Sequence, residues 1–348
     1  MTVVVNQSLF PVQAVERRFW HGNPYLCVSA KVSLLFDAQG RLRKLLRQPP
    51  LELDEAWLDR PMRSSLVSGG DLIPYKPGTD VLVLGSARPP GGKPSTGWDA
   101  ELRLPGKRKR LRLLGPRVWE HRLLAGWTLS TPSPCESVPL LYENAYGGVI
   151  DAHREHFEEG EYYADNPFGT GFIGRSRPPT DRPIPAARIE AWDGAITGFG
   201  KDVPVGGTGP VPGFFPQRQR HAGSWEDHLA QGLPGMPLDM DMRYWQVAPP
   251  DQQLDRFLRE DEKIELHGFC AEGPLQLRIP PISAMATASF SESQTRARVM
   301  ALDTVHIDLD RRTLALRYHV IVPLQDDLKQ VSVRCAEYAP LSGERAHG

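Results

Sequence analysis

A glycine or a proline falls about every fifth residue along this chain, with 32 Gly and 33 Pro among 348 residues, against about one in eight in an average protein. Proline removes a backbone donor and glycine is the residue of tight turns, so helices of ordinary length do not fit between them. That spacing predicts short strands joined by many turns. The hydrophobic share of 40% is enough for a sizeable core and too high for a disordered chain. A length of 348 residues allows one large or two moderate domains. Lys and Arg number 41 and Asp and Glu 42, a net charge of −1. Nucleic-acid binding and polybasic membrane association both need an excess of positive charge, and neither is expected.

The N-terminal Met1-Thr-Val-Val-Val-Asn6 lacks the basic and apolar regions of a signal peptide, and no apolar run approaches the length of a membrane-spanning helix. Cys27, Cys135, Cys270 and Cys335 are isolated, which reads as small hydrophobes in a reducing compartment. The cytoplasm is the expected location.

Strand patterning dominates the first 150 residues. Tyr25 to Phe36 is rich in β-branched and aromatic residues and ends at the turn Asp37-Ala-Gln-Gly40. Asp80 to Ala87 is a second strand, and Trp98 to Leu104 with Lys109 to Leu114 form a hairpin about Pro105-Gly106. The basic run Lys107-Arg-Lys-Arg110 then reads as a solvated turn at the hairpin tip. Strands resume after residue 262, at Lys263–Phe269, Leu275–Ile279, Ala301–Ile307 and Thr313–Val322. Between residues 161 and 250 stand 13 Pro and 13 Gly interleaved with Trp and Phe, which suits ordered loops pinned by aromatics, with mobility expected from Val205 to Pro216. Short helices are expected after Ser224 and from Pro249 to Leu258. The fold expected is mainly β: one large domain with an antiparallel sandwich or barrel-like body. Residues 1–150 and 262–340 supply most strands, and 151–261 form a loop-rich insertion with short helices.

The chemistry-bearing motifs are weak. Gly169-Thr-Gly-Phe-Ile-Gly174 matches a dinucleotide fingerprint in letters, but the prolines beyond it oppose the helix it needs. His153 and His156 lack the H-E-x-x-H register, and Asp239-Met-Asp241 fits a turn or cap better than a cation shell. No cofactor, metal or catalytic residue is assigned.

A series of motifs carries more information together than singly. They are Ser65-Leu-Val-Ser68, Asp71-Leu-Ile-Pro-Tyr-Lys-Pro-Gly-Thr-Asp80, Gly85-Ser-Ala87, Gly115-Pro-Arg-Val-Trp119 and Pro139-Leu-Leu-Tyr-Glu-Asn-Ala-Tyr-Gly-Gly148. Asp165-Asn-Pro-Phe-Gly-Thr-Gly-Phe172, Leu238 to Gln253 and Leu302-Asp-Thr304 complete the order. The ordered set resembles the bacterial family called domain of unknown function 2169, over nearly the whole chain. The resemblance implies a cytoplasmic adaptor or chaperone. It would bind a type VI secretion effector through its PAAR-type tip region and help load it onto the spike, with the spike protein itself as a further contact.

Two departures stand out: Ser8-Leu9 where the family favours Thr-Pro, and extra glycine from Gly198 to Phe215. The partner-binding residues expected are Phe168, Phe172, Phe199, Phe214, Phe215 and Trp225. Lys76, Asp80, Arg117, Trp119, Tyr142, Asn166, Asp241 and Asp303 are motif residues read as structural, with Arg117 and Trp119 as a cation–aromatic pair. Two alternatives are a β-rich hydrolase or carbohydrate-active enzyme using carboxylates from Asp80, Glu143, Asp165, Asp239 and Asp303, and a non-catalytic carbohydrate-binding or structural module.

Overall fold

The computed structural model describes residues 2–19, 22–149, 161–173, 182–291 and 294–335. The protein is mainly β, with three large sheets of six, five and four strands, several small ones, and two short α-helices among the described residues, Pro216–Gln219 and Trp225–Ala230. None of the described sheets closes into a barrel.

The six-stranded sheet is organised around Pro24–Phe36, the longest strand. It pairs antiparallel with Val12–Arg18 on one side and with Thr313–Pro323 on the other, while Leu42–Lys44 adds to its end. Thr313–Pro323 in turn pairs with Ala301–Asp308, and Asp80–Leu84 lies parallel to that strand at the edge. The strand at Asp80 stops at Leu84 because Gly85 takes a φ of +92°, and a separate Ser86–Ala87 strand comes after it.

The five-stranded sheet contains the expected hairpin, Gly97–Leu104 with Lys107–Leu114, and runs on through Lys263–His267 to Leu275–Arg278. Its turn is closed by Gly106 at a φ of +78°. The basic run Lys107–Arg110 is therefore strand, not a solvated tip. Lys109 is buried and holds Asp251 at 2.8 Å, an ion pair that draws the run into the fold. The four-stranded sheet was not foreseen: Val3–Asn6 lies parallel to Leu328–Cys335, which pairs with Ala284–Phe290 and then Thr295–Val299.

One continuous apolar core joins these three sheets, drawing Val28, Val32 and Leu316 from the first, Leu102, Leu113 and Ile264 from the second, and Ala286, Val331 and Val333 from the third. Alternation places these side chains on inward faces.

The expected helix from Pro249 to Leu258 is only a single 3-10 turn, Pro250–Gln252. The sheet edge captures the next two residues: Gln253 bridges to Asp80, and the Leu254 amide donates to the Thr79 carbonyl at 2.8 Å. The helix after Ser224 is present, but the Ser224 hydroxyl donates to Asp239 rather than capping it. Mobility was expected from Val205 to Pro216, yet Gly206 to Pro212 is buried throughout. Glycine is needed there for close approach: a Cβ on Gly207 would fall 2.6 Å from the Tyr142 ring. No helix among the described residues is long and apolar enough to cross a membrane. The His153–His156 pair lies outside the described residues, as do Gly174 and the segment from Arg175 to Thr180.

Candidate functional site

Two arrangements concentrate the motif residues: an ionic network on the second face of the six-stranded sheet, and an aromatic group raised on the loops.

In the network, odd-numbered residues of Pro24–Phe36 and Thr313–Pro323 turn away from the apolar core, bringing Ser29, Lys31, Arg317 and His319 onto one face. Thr304 sits opposite Arg317 on one side and Asp80 on the other. A bulge between Leu302 and Thr304 inserts Asp303 as an extra residue, which keeps Leu302 and Val305 in the core while adding a carboxylate to the polar face. Arg317 grips Asp303 with two nitrogens, at 2.7 and 2.8 Å, and donates to the Gly70 carbonyl at 3.0 Å. Lys76 donates to Asp80 at 2.6 Å and to the Thr304 hydroxyl at 2.9 Å, and Asp80 also accepts the Val247 amide at 2.7 Å. Lys31 pairs with Asp71 at 2.6 Å.

Three cations face three carboxylates, so the network is neutral when fully ionised. Burial pushes the Lys76 pKa down, and Asp80 only partly opposes it. Burial would raise that of Asp303, but Arg317 and then Lys76 overcome it and leave the carboxyl below its ordinary value. For Arg317 burial works against the charge, and Asp303 more than offsets it. Burial also lowers His319 to about 4, so its ring is neutral near pH 7, and it lowers His306. Asp80 Oδ1 and the Nε2 atoms of His306 and His319 are buried without a partner among the described residues. A cavity of about 50 Å³ beside Lys31, Asp71, Thr304 and Arg317 has room for a few waters and not for a sugar.

The other motif residues each brace a loop. Asn166 is fully buried and donates to the carbonyls of Tyr142 and Tyr146. Gly147 must be glycine beside it, with a φ of +147° and space for a Cβ only 2.1 Å from the Asn166 carbonyl oxygen. Tyr142 is buried and its hydroxyl donates to the Gly209 carbonyl at 3.3 Å. Asp241 caps the 3-10 turn Met242–Trp245 and pairs with Arg243, whose hydrogen bonds lower its pKa to about 2. Arg117 is not a partner for Trp119: it pairs with buried Glu190 at 2.6 Å, while Trp119 packs edge-on to Phe199.

The aromatics expected to bind a partner separate into four groups. Phe168, Phe214 and Phe215 come together, with Tyr142 below and Trp57 beside them. Phe215 is wholly buried and offers a partner no surface, which makes it a core residue and corrects that expectation. Phe168, Phe214 and Trp57 are half-buried, and the neighbouring Leu58 and Met62 are exposed. Phe199 instead stacks on Trp127 at 4.2 Å, Phe172 packs with Tyr163, and Trp225 lies against the cluster of Phe19, Met236 and Met240. Trp57, Lys31 and Arg317 are the residues that sequence reasoning missed, and Asp71 was seen only as a motif letter. Trp57 stands outside the Gly/Pro-rich segment, and Lys31 and Arg317 sit at polar positions of alternating strands that read as solvent-facing.

Four of the five carboxylates of the enzyme reading are engaged. Asp80 and Asp303 lie in the network, Glu143 accepts from the Ser65 amide and hydroxyl, and Asp239 accepts from Ser224. Asp165 is half-buried in the turn before Asn166. Among the described residues no group of three or more His, Cys, Asp or Glu is placed to hold a metal.

The family model described as "Uncharacterized protein conserved in bacteria (DUF2169)" matches residues 21–319. The chain belongs to that family. No curated protein and no solved structure matches this DUF2169 member. The matched span includes the ionic network and the aromatic group.

Proposed function

We propose that this DUF2169 protein is a non-catalytic adaptor that holds a type VI secretion effector by its PAAR-type tip region before loading on the spike. The secretion assignment rests on the resemblance of the ordered motifs. The observation that carries a binding role is the half-buried aromatic group of Trp57, Phe168 and Phe214, set on the buried base of Tyr142 and Phe215. Large aromatics, Trp and Phe among them, are enriched in protein–protein contacts, and a rigid base lowers the cost of ordering them. The engaged carboxylates favour binding over hydrolysis, because a glycosidase needs two free ones facing a cleft.

The test is co-expression with a cognate PAAR-type effector. The effector should become more soluble and co-purify in stoichiometric amount, and Phe168→Ser with Phe214→Ser should release it while the free adaptor, though destabilised by the loss of two half-buried rings, still melts cooperatively above the assay temperature. Failure to recover any cognate tip protein, from co-expression or from a pull-down in the native cytoplasm, would overturn the reading.

A further inference from the structure

We infer that the Thr295–Val299 edge of the four-stranded sheet accepts an added strand from a partner, and that this strand carries carboxylates at two alternate positions. The inference goes beyond the adaptor reading and does not depend on a secretion effector.

Among the described residues Thr295–Val299 pairs on one side only, with Ala284–Phe290, and every one of its five residues is exposed. The edge at Asp80–Leu84 is treated differently. Its carbonyls accept from Gln252 and from the Thr208 hydroxyl, and its Val83 amide donates back to the Thr208 carbonyl. One edge is closed by the protein's own loops, and the other keeps its backbone groups open for a new strand.

Charge complementarity selects the occupant. Arg296 and Arg298 stand opposite Ala288 and Ala286, on one face of the strand. Neither has a carboxylate partner among the described residues, and the Arg296 guanidinium lies 5.0 Å over the Phe290 ring. The shallow groove beneath the two arginines is floored by Ala286, Ala288 and Phe290 and closed by Val322 and Pro323. The opposite face carries Ala297 and Val299, and from Val299 a wider groove of about 630 Å³ runs past Pro281, Ile282 and Tyr318.

A strand laid along this edge meets two cations at alternate positions and apolar surface between and beyond them. Side chains alternate across a strand, so the matching sequence is acidic on one face and apolar on the other. A second copy of this chain does not match. Antiparallel self-pairing about Ala297 would set Arg296 against Arg298, and like charges directly opposite are destabilising.

The probe is a fluorescein-labelled peptide of alternating Glu and Val, eight residues long and capped at both ends, compared with its Lys–Val counterpart on the full-length chain. The Glu–Val peptide should bind and slow amide exchange across residues 295–299. The double variant Arg296→Glu, Arg298→Glu should weaken it about tenfold and gain affinity for the Lys–Val peptide by a similar factor. Because the variant must gain one ligand as it loses the other, a merely misfolded protein cannot mimic the result. Equal binding of both peptides, unchanged exchange at 295–299, or a dimer of the free chain joined through this strand would each overturn the inference. Such a failure would leave effector co-purification untouched, so the two proposals fall separately.

Discussion

The two faces of the six-stranded sheet are both covered, yet they are built from opposite chemistry. One face presents Val28, Val32, Leu34, Leu316, Val305 and Val81 to the main core, where contacts are non-directional. The other presents Lys31, Arg317, Thr304, His319 and Asp80 to loops that carry Asp71, Lys76 and Val247. An aliphatic face accepts any neighbour of suitable volume. An ionic face accepts only a loop that brings the right partner to the right atom, so it specifies how loops 51–80 and 236–253 sit. These loops also carry Trp57 toward the aromatic group. The ionic face is thereby the more exacting half of the sheet, although a paired ion contributes little net stability.

The contrast is broken most sharply by Asp303→Ala, which leaves the Arg317 guanidinium buried with only the Gly70 carbonyl. Urea unfolding should show a loss of about 4 kcal/mol, and adding Arg317→Met should restore most of it. A loss under about 1 kcal/mol would mean that the two faces tolerate change alike.

Acid should act next. His319 is depressed to about 4 in the folded chain from an ordinary 6.5, so the unfolded chain takes up the proton first. Its contribution is fully present above pH 6.5 and is lost as pH falls toward 4, on the order of 3 kcal/mol. Below that, depressed Asp303 withdraws its own share in the same direction. Unfolding curves at pH 7 and pH 4.5 should differ accordingly, and His319→Gln should flatten the difference. An unchanged slope would place the effect elsewhere.

On the aliphatic face Ile307→Val removes one buried methylene and should cost about 1 kcal/mol. Smallest of all should be Lys31→Met combined with Asp71→Leu. Both charges leave together from a pair that retains some exposure, so stability should shift by less than about 1 kcal/mol. The larger change should be in the ordering of the 51–71 loop, read by amide exchange at Glu52, whose backbone N–H donates to Asp71.

The strands from Tyr25, Trp98, Lys263, Ala301 and Thr313 were legible because alternation and turn residues mark them locally. The Pro105-Gly106 hairpin was legible for the same reason. The four-stranded sheet was not: Ala284–Phe290 is alanine-rich and Thr295–Val299 carries two arginines, so neither stands out as a strand, and only pairing, of the first with Leu328–Cys335 and of the second with the first, makes them strands. The site divided along the same line. Lys76, Asp80 and Asp303 were visible as motif letters, but nothing in a linear sequence separates a polar residue facing water from one facing a buried loop, and Lys31 and Arg317 were lost on that ground. Phe214 and Phe215 are adjacent and identical, and only packing decides that one lies at the surface and the other inside.

The pairing of Pro24–Phe36 with Thr313–Pro323 also imposes an order in time. Its partners lie between 278 residues apart, for Leu35 and Thr313, and 298, for Tyr25 and Pro323. At a synthesis rate of about 5–20 residues per second, the N-terminal strand leaves the ribosome roughly 15–60 seconds before its neighbour exists. During that interval the strand carrying Val28, Val32 and Leu34 can pair only with Val12–Arg18 and Leu42–Lys44, and its other side stays open. The long-range pairing therefore closes late, and an unpaired edge persists through most of the chain's synthesis.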